Sequence, residues 1–144
     1  MKSHILSSLV IAAAVVAAAP ATGQEGGRRL SAILSGAAEA PGPGDPDGAG
    51  TAEIRVNAGQ RQVCYSLSVT RIDPATAAHI HEAAPGSAGP VVVTLTAPAR
   101  GRSQGCVRIS RALAQELIQT PQHYYVNVHN AAFPAGAVRG QLAR

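Results

Sequence analysis

Apolar and polar residues alternate most cleanly over residues 62–70. Val63, Tyr65, Leu67 and Val69 fall on one side, and Cys64, Ser66, Ser68 and Thr70 on the other. A period of two is the signature of a half-buried β-strand. Residues 51–56 repeat it, with Ala52, Ile54 and Val56 opposite Thr51, Glu53 and Arg55. Shorter segments at 30–35, 77–82, 91–96, 106–109, 124–129 and 137–142 read as further strands, separated by turns rich in Gly and Pro. Residues 37–50 hold so much Pro, Gly and Asp that they predict a loop, and Asn57-Ala58-Gly59 predicts a turn tolerant of positive φ. The helical pattern falls at 110–119, where Ser110 is placed to cap, Leu113 and Leu117 lie four apart, and Pro121 ends the run. The pattern predicts an all-β domain: about eight antiparallel strands in a Greek-key sandwich, with one short connecting helix.

The N-terminus departs from this pattern. Lys2 and His4 precede an uncharged apolar run over residues 5–19, and small residues follow, with cleavage sites after Ala21 or after Gly23. That is the layout of a secretory signal peptide. The run is shorter than the about 20 residues that a membrane span requires, and no Cys stands at the cleavage region to accept a lipid anchor. The organisation expected is a signal peptide at 1–23, a short linker at 24–29 and one domain over 30–144. The mature chain is then exported, secreted or periplasmic, with no membrane span. Lys2 is the only Lys, so past the signal eleven Arg stand against eight acids, a formal charge of +3. These Arg are spread along the chain without interleaved aromatics, so a nucleic-acid groove is not expected. Cys64 and Cys106 are 42 positions apart, unlike a Cys-x-x-Cys redox pair, and in an exported chain two Cys read as one disulfide. Cys106 alternates with Val107 as Cys64 does with Val63 and Tyr65, so both leave the apolar faces. Their bridge should pin neighbouring strands or close an edge.

Candidate chemistry centres on His. His79 and His81 are two apart on one strand and present both imidazoles on the same face. A strand offers two nitrogen ligands to Zn or Cu in this way, with a third from another strand. His129 is the natural third ligand; His123, which precedes that strand, is a less well placed fourth. Glu39 and Glu82 are candidate carboxylates, as ligands or as acceptors that fix a His tautomer. The competing reading is structural, each His locking its own turn through backbone hydrogen bonds. His81-Glu-Ala-Ala and His129-Asn-Ala-Ala are each followed by Pro, Gly and Val, which predicts similar strand-end positions for His81 and His129. Other chemistries find less support. Gly86-Ser87-Ala88-Gly89 lacks nucleophile-elbow spacing, the acids fall in loops or alternate outward, and Asp45 with Asp47 offers too few ligands for Ca²⁺.

Several of these segments together resemble a known family. Leu34-Ser-Gly-Ala-Ala-Glu39-Ala-Pro41, Gly50-Thr-Ala, Ala78-His-Ile-His-Glu82, Gly89-Pro-Val-Val, Tyr125-Val-Asn-Val-His129 and Pro134-x-Gly-x-Val-Arg-Gly-Gln-Leu142 are similar to the CHRD (chordin) domain, in the family's order. The Cys pair resembles that of small exported bacterial members. The resemblance implies an extracellular β-sheet module with no established catalytic residues. A more distant likeness is to the sandwich of Cu/Zn superoxide dismutase, which also has a His-x-His strand; the fold expected is superoxide dismutase-like or immunoglobulin-like. The four His outside the signal are too few for a copper-plus-zinc pair, which leaves a mononuclear site. The function expected is a non-enzymatic exported binding or structural module with an extracytoplasmic protein or matrix partner. The alternative is an extracytoplasmic copper- or zinc-binding protein using His79, His81 and His129.

Overall fold

A computed structural model of the chain describes residues 26–144. The expected signal peptide and the start of the linker lie outside the described residues. Eight strands form in chain order: β1 Arg28–Ser35, β2 Ala49–Asn57, β3 Gln62–Thr70, β4 Ala75–Glu82, β5 Val91–Leu95, β6 Arg102–Arg108, β7 Tyr124–Asn130 and β8 Val138–Gln141. One helix, α1 Arg111–Gln119, joins β6 to β7. Every strand pair is antiparallel, and hydrogen bonding runs through a single sheet in the order β5-β4-β7-β8-β1-β2-β3-β6. The sheet curls until its end strands, β5 and β6, approach each other. From β3 the chain therefore passes over β6 and β5 to enter β4, and from β6 over β5 and β4 to enter β7. These two crossings are the expected Greek-key connections.

Side chains rather than a backbone ladder hold the seam. The Tyr65 hydroxyl accepts a bond from the Thr96 N–H at 2.9 Å and donates to Thr96 Oγ1 at 3.0 Å. The Ser103 hydroxyl donates to the Thr96 carbonyl at 2.7 Å. Tyr65 lies opposite Gly105 in the register, where a Cβ would strike its hydroxyl. Glycine there opens the way for the phenol to cross β6. The alternation seen in sequence sorts the faces: Leu30, Leu34, Ile54, Val56, Val63, Leu67, Ile80, Val126, Val128 and Leu142 form the buried interior, joined by Ala114 and Leu117 of α1. Ser110 caps that helix by accepting from the Leu113 N–H at 3.0 Å, as its position predicts.

Strand limits differ from the sequence expectation where the side chains are polar. β6 begins at Arg102 rather than at residue 106, because Arg102, Ser103, Gln104 and Gly105 all pair with β3. No β6 residue is fully buried, and residues 102–105 are polar or Gly, so hydropathy marks only the end of this strand around Val107. β1 likewise starts at Arg28, inside the expected linker, where pairing of Arg28 with Val56 and Arg29 with Arg55 needs no apolar side chain.

Cys64 and Cys106 are direct cross-strand partners of β3 and β6 and form a disulfide on the outer face. The bridge ties the edge strand β6 into the sheet, as the outward orientation of both residues implied. Thiol counting on denatured, unreduced protein should find no free Cys. Replacing both by Ser should lower stability by about 4 kcal/mol, the chain-entropy value for closing a loop of this length. Denaturant unfolding of the double variant measures it.

Candidate metal centre

β4, β7 and β8 lie side by side, and their outward residues make a second, polar layer. On β4 the outward pair is His79 and His81, since Ala78 and Ile80 enter the core. On β7 the same alternation sends Tyr124, Val126 and Val128 inward and Tyr125, Asn127 and His129 outward. Register then sets His81 beside Tyr125 and Gln141, and His79 beside Asn127 and Arg139. His129 lies beside Ala77, diagonal to His79. The β4–β5 loop and the 131–137 loop lie over this layer.

The structure brings together the three expected His. One nitrogen from each of His79, His81 and His129 falls within 4.8 Å of the other two. His81 Nδ1 is 2.8 Å from the Gly89 carbonyl, and His129 Nδ1 is 3.0 Å from the Pro134 carbonyl. A carbonyl only accepts, so both Nδ1 atoms carry the proton and donate it. In the neutral rings both Nε2 atoms then hold a free lone pair. Those Nε2 atoms share a neighbour, the Asn127 amide, 3.0 Å from each. With no cation between them, two bare nitrogens require the amide to turn its NH₂ toward them, an assignment set by the hydrogen-bond network. His79 Nδ1 lies 3.1 Å from His129 Nε2 and is the donor of that pair. Both backbone contacts are therefore the turn-locking bonds of the structural reading, and they are also what points two lone pairs at one place. His81 and His129 are each the last residue but one of their strands, as the repeated motif predicts.

Burial holds the His79 imidazole below the ordinary 6.5, aided by repulsion from His129 and His81 and opposed by a hydrogen bond to Asn127. Burial also lowers His129, against the raising effect of its bond to Pro134. Both are thus neutral at physiological pH, the state that ligates a metal.

Three expected partners stay away. Glu39 lies under the 132–136 loop and is not in the imidazole cluster. Glu82 is exposed at the end of β4, and His123 is exposed just before the opposite end of β7. The positioning residues Tyr125, Asn127 and Arg139 stand inside the two C-terminal family motifs, and the alternation of β7 puts Tyr125 and Asn127 on the face of His129, but the sequence assigns none of them a role at the site. Tyr125 stacks on His81 with centroids 4.8 Å apart and planes 4° from parallel. Its hydroxyl accepts the Gly89 N–H at 3.3 Å, beside the carbonyl that holds His81. Arg139 lies 3.4 Å above the other face of Tyr125 and donates to the Ser87 and Ala84 carbonyls at 2.7 and 3.0 Å. Arg139 therefore fixes the loop that fixes His81. Tyr124, by contrast, turns inward and donates to Glu116 at 2.7 Å. Burial and that acceptor raise its pKa.

Residues 30–142 match the model of the CHRD domain, and the chain belongs to that family. Comparison with curated proteins gives no match. Among the described residues, no helix is long and apolar enough to cross a membrane.

The lowered His pKa values set a direction for stability. On acidification the unfolded chain takes up these protons first. The stability linked to neutral His79 and His129 is present above the ordinary value of 6.5 and is lost as pH falls through it toward their folded values. Metal-free protein should therefore show a falling Tm as pH drops from about 8 to about 5, and His79→Asn should flatten that decline. Thermal denaturation across the pH series checks both.

Proposed function

We propose that this protein is an exported, non-catalytic CHRD-domain binding module whose ligand is a transition-metal cation, Zn²⁺ or copper, held by His79, His81 and His129. The observation that carries the reading is the pair of Nδ1–H bonds to Gly89 and Pro134, which leaves two Nε2 lone pairs converging with the His79 ring. Backbone acceptors of this kind are the outer partners that orient metal-binding imidazoles. Three imidazole nitrogens suit Zn²⁺ or copper and do not suit Ca²⁺ or Mg²⁺, which take oxygen. Both Nδ1 atoms already hold their protons in bonds to carbonyls, so a cation displaces only the contacts to Asn127 and between His79 and His129.

Export is supported by the sequence pattern of residues 1–23 and by the disulfide, which forms and persists in oxidising compartments. The module then meets its metal, and any extracytoplasmic partner, in the periplasm or outside the cell. Its non-catalytic character rests on the sequence.

Protein purified without an affinity tag and stripped with chelator should take up one equivalent of Zn²⁺ or Cu²⁺. At a free metal concentration a hundredfold above Kd, linkage should raise stability by about 2.7 kcal/mol. His81→Ala should weaken binding by at least about tenfold while leaving the circular dichroism spectrum unchanged. Lack of uptake by titration calorimetry and elemental analysis, or uptake that His81→Ala leaves unaltered, would reject the metal.

A further inference from the structure

A second site lies on the far side of the loop that anchors His129. Residues 40–43 and 132–136 enclose a pocket of about 150 Å³, with Glu39 at its base and Pro41, Pro43, Phe133 and Pro134 among its walls. An engineered cavity of about this size accepts a guest as large as benzene. Three of the wall residues are prolines, whose fixed φ makes the rim rigid. Phe133 is the only Phe of the chain, and it stands outside the buried core.

Glu39 is the unusual member. Its Oε1 is buried, and among the described residues no hydrogen-bond donor reaches it. A buried acceptor without a partner costs about 1–3 kcal/mol, and a donor brought to the carboxyl offsets that cost. The surroundings are built to keep the carboxyl there. A Cβ at Gly136, where φ is +147, would overlap it, and a Cβ at Gly44 would meet its Cγ. The nearest cation does not complete the pair. Arg139 acts on Glu39 through its charge, but its hydrogen bonds go to Ser87, Ala84 and Gln141, and none reaches Glu39 Oε1.

We propose that this pocket binds a primary alkylammonium group, with the Glu39 carboxyl receiving the ammonium and Phe133 and the prolines enclosing the alkyl stem. Charge complementarity selects a cation, and an aromatic side chain, Phe133, is among the residues that line the pocket. Geometry selects ammonium over guanidinium. The guanidinium fork bonds two carboxylate oxygens at once, whereas the Ala40 N–H already faces this carboxyl and one oxygen is unpartnered. A four-carbon stem with a terminal nitrogen has about as many heavy atoms as the guest such a volume accepts. Burial raises the Glu39 pKa to about 7, with Arg139 and the Ala40 N–H opposing. An arriving ammonium stabilises the ionised carboxyl and expels its proton, so binding strengthens as pH rises through that value.

The test is an NMR titration in the presence of chelator, which keeps it independent of the imidazole cluster. The probes are n-butylammonium, neutral n-butanol of the same shape, and Nα-acetyl-lysine methylamide. n-Butylammonium should shift the amides of Glu39, Phe133 and Gly136, and should bind at least about tenfold more tightly than n-butanol. Its affinity should rise between about pH 6 and about pH 8, with Arg139 the other charged group facing the carboxyl. Glu39→Gln should abolish the preference for the charged probe. That variant should fold at least as stably at about pH 8, because a raised carboxyl pKa gives stability below 4.5 that is lost as pH rises through about 7. Phe133→Ala should weaken n-butylammonium and leave Glu39 in place. Binding of the lysine derivative as well assigns the site to a lysine side chain of a partner protein; binding of n-butylammonium alone assigns it to free amines. Equal binding of n-butanol and n-butylammonium, or shifts that do not involve Glu39, overturns the proposal, as does absence of binding by every probe.

Discussion

Arg139 is a full positive charge at 1 % exposure, and the polar layer outside the sheet is arranged around it. Burying a guanidinium is costly unless its donors are met, and a lost partner leaves the charge uncompensated. Here the donors go to two carbonyls of the β4–β5 loop and to Gln141, while the Tyr125 ring covers one face of the cation. Each contact has a second role. The loop carbonyls bring Gly89 to His81, and Tyr125 supports the same imidazole from its flat side. One buried charge thus orders a loop, an aromatic ring and a His in a single chain of contacts.

The sheet makes this possible because it is continuous. With β4, β7 and β8 as neighbours in one ladder, residues from three distant parts of the chain stand in fixed rows. Closure also leaves only one seam, and the two devices there differ in kind. Tyr65 reaches across it by hydrogen bonding to Thr96, and the Cys64–Cys106 bridge ties the polar strand β6 to β3 covalently. β6 buries no residue completely, so it contributes little hydrophobic free energy of its own. Its place rests on the ladder with β3, the disulfide and the packing of Val107 against the core.

The loop over residues 131–137 separates two chemically different sites. On one side the Pro134 carbonyl holds the His129 Nδ1 proton; on the other Phe133 and Pro134 wall the Glu39 pocket. The first environment offers neutral nitrogen lone pairs, and the second an ionisable oxygen in an apolar recess. Nitrogen donors and hard oxygen donors select different guests, so the guests proposed for the two sides of the loop do not compete.

Much of the fold was legible in the amino-acid sequence, because a half-buried strand must alternate and Gly and Pro must punctuate it. Residues 62–70 and the capped helix after Ser110 follow from that alone. So does the pairing of His79 with His81 on one face, since a period of two admits no other arrangement within a strand. The first half of β6, residues 102–105, escaped, because a segment held by backbone pairing has no need of apolar side chains. Which strands become neighbours is a matter of long-range hydrogen bonding that local pattern does not encode. Only the tertiary structure therefore brought His129 to the His79–His81 pair, kept Glu39 and His123 from it, and put Arg139, Tyr125 and Asn127 around it. The sequence determined the types and faces of the three His through local sterics and periodicity. Their meeting was decided by register between strands about 50 residues apart in the chain.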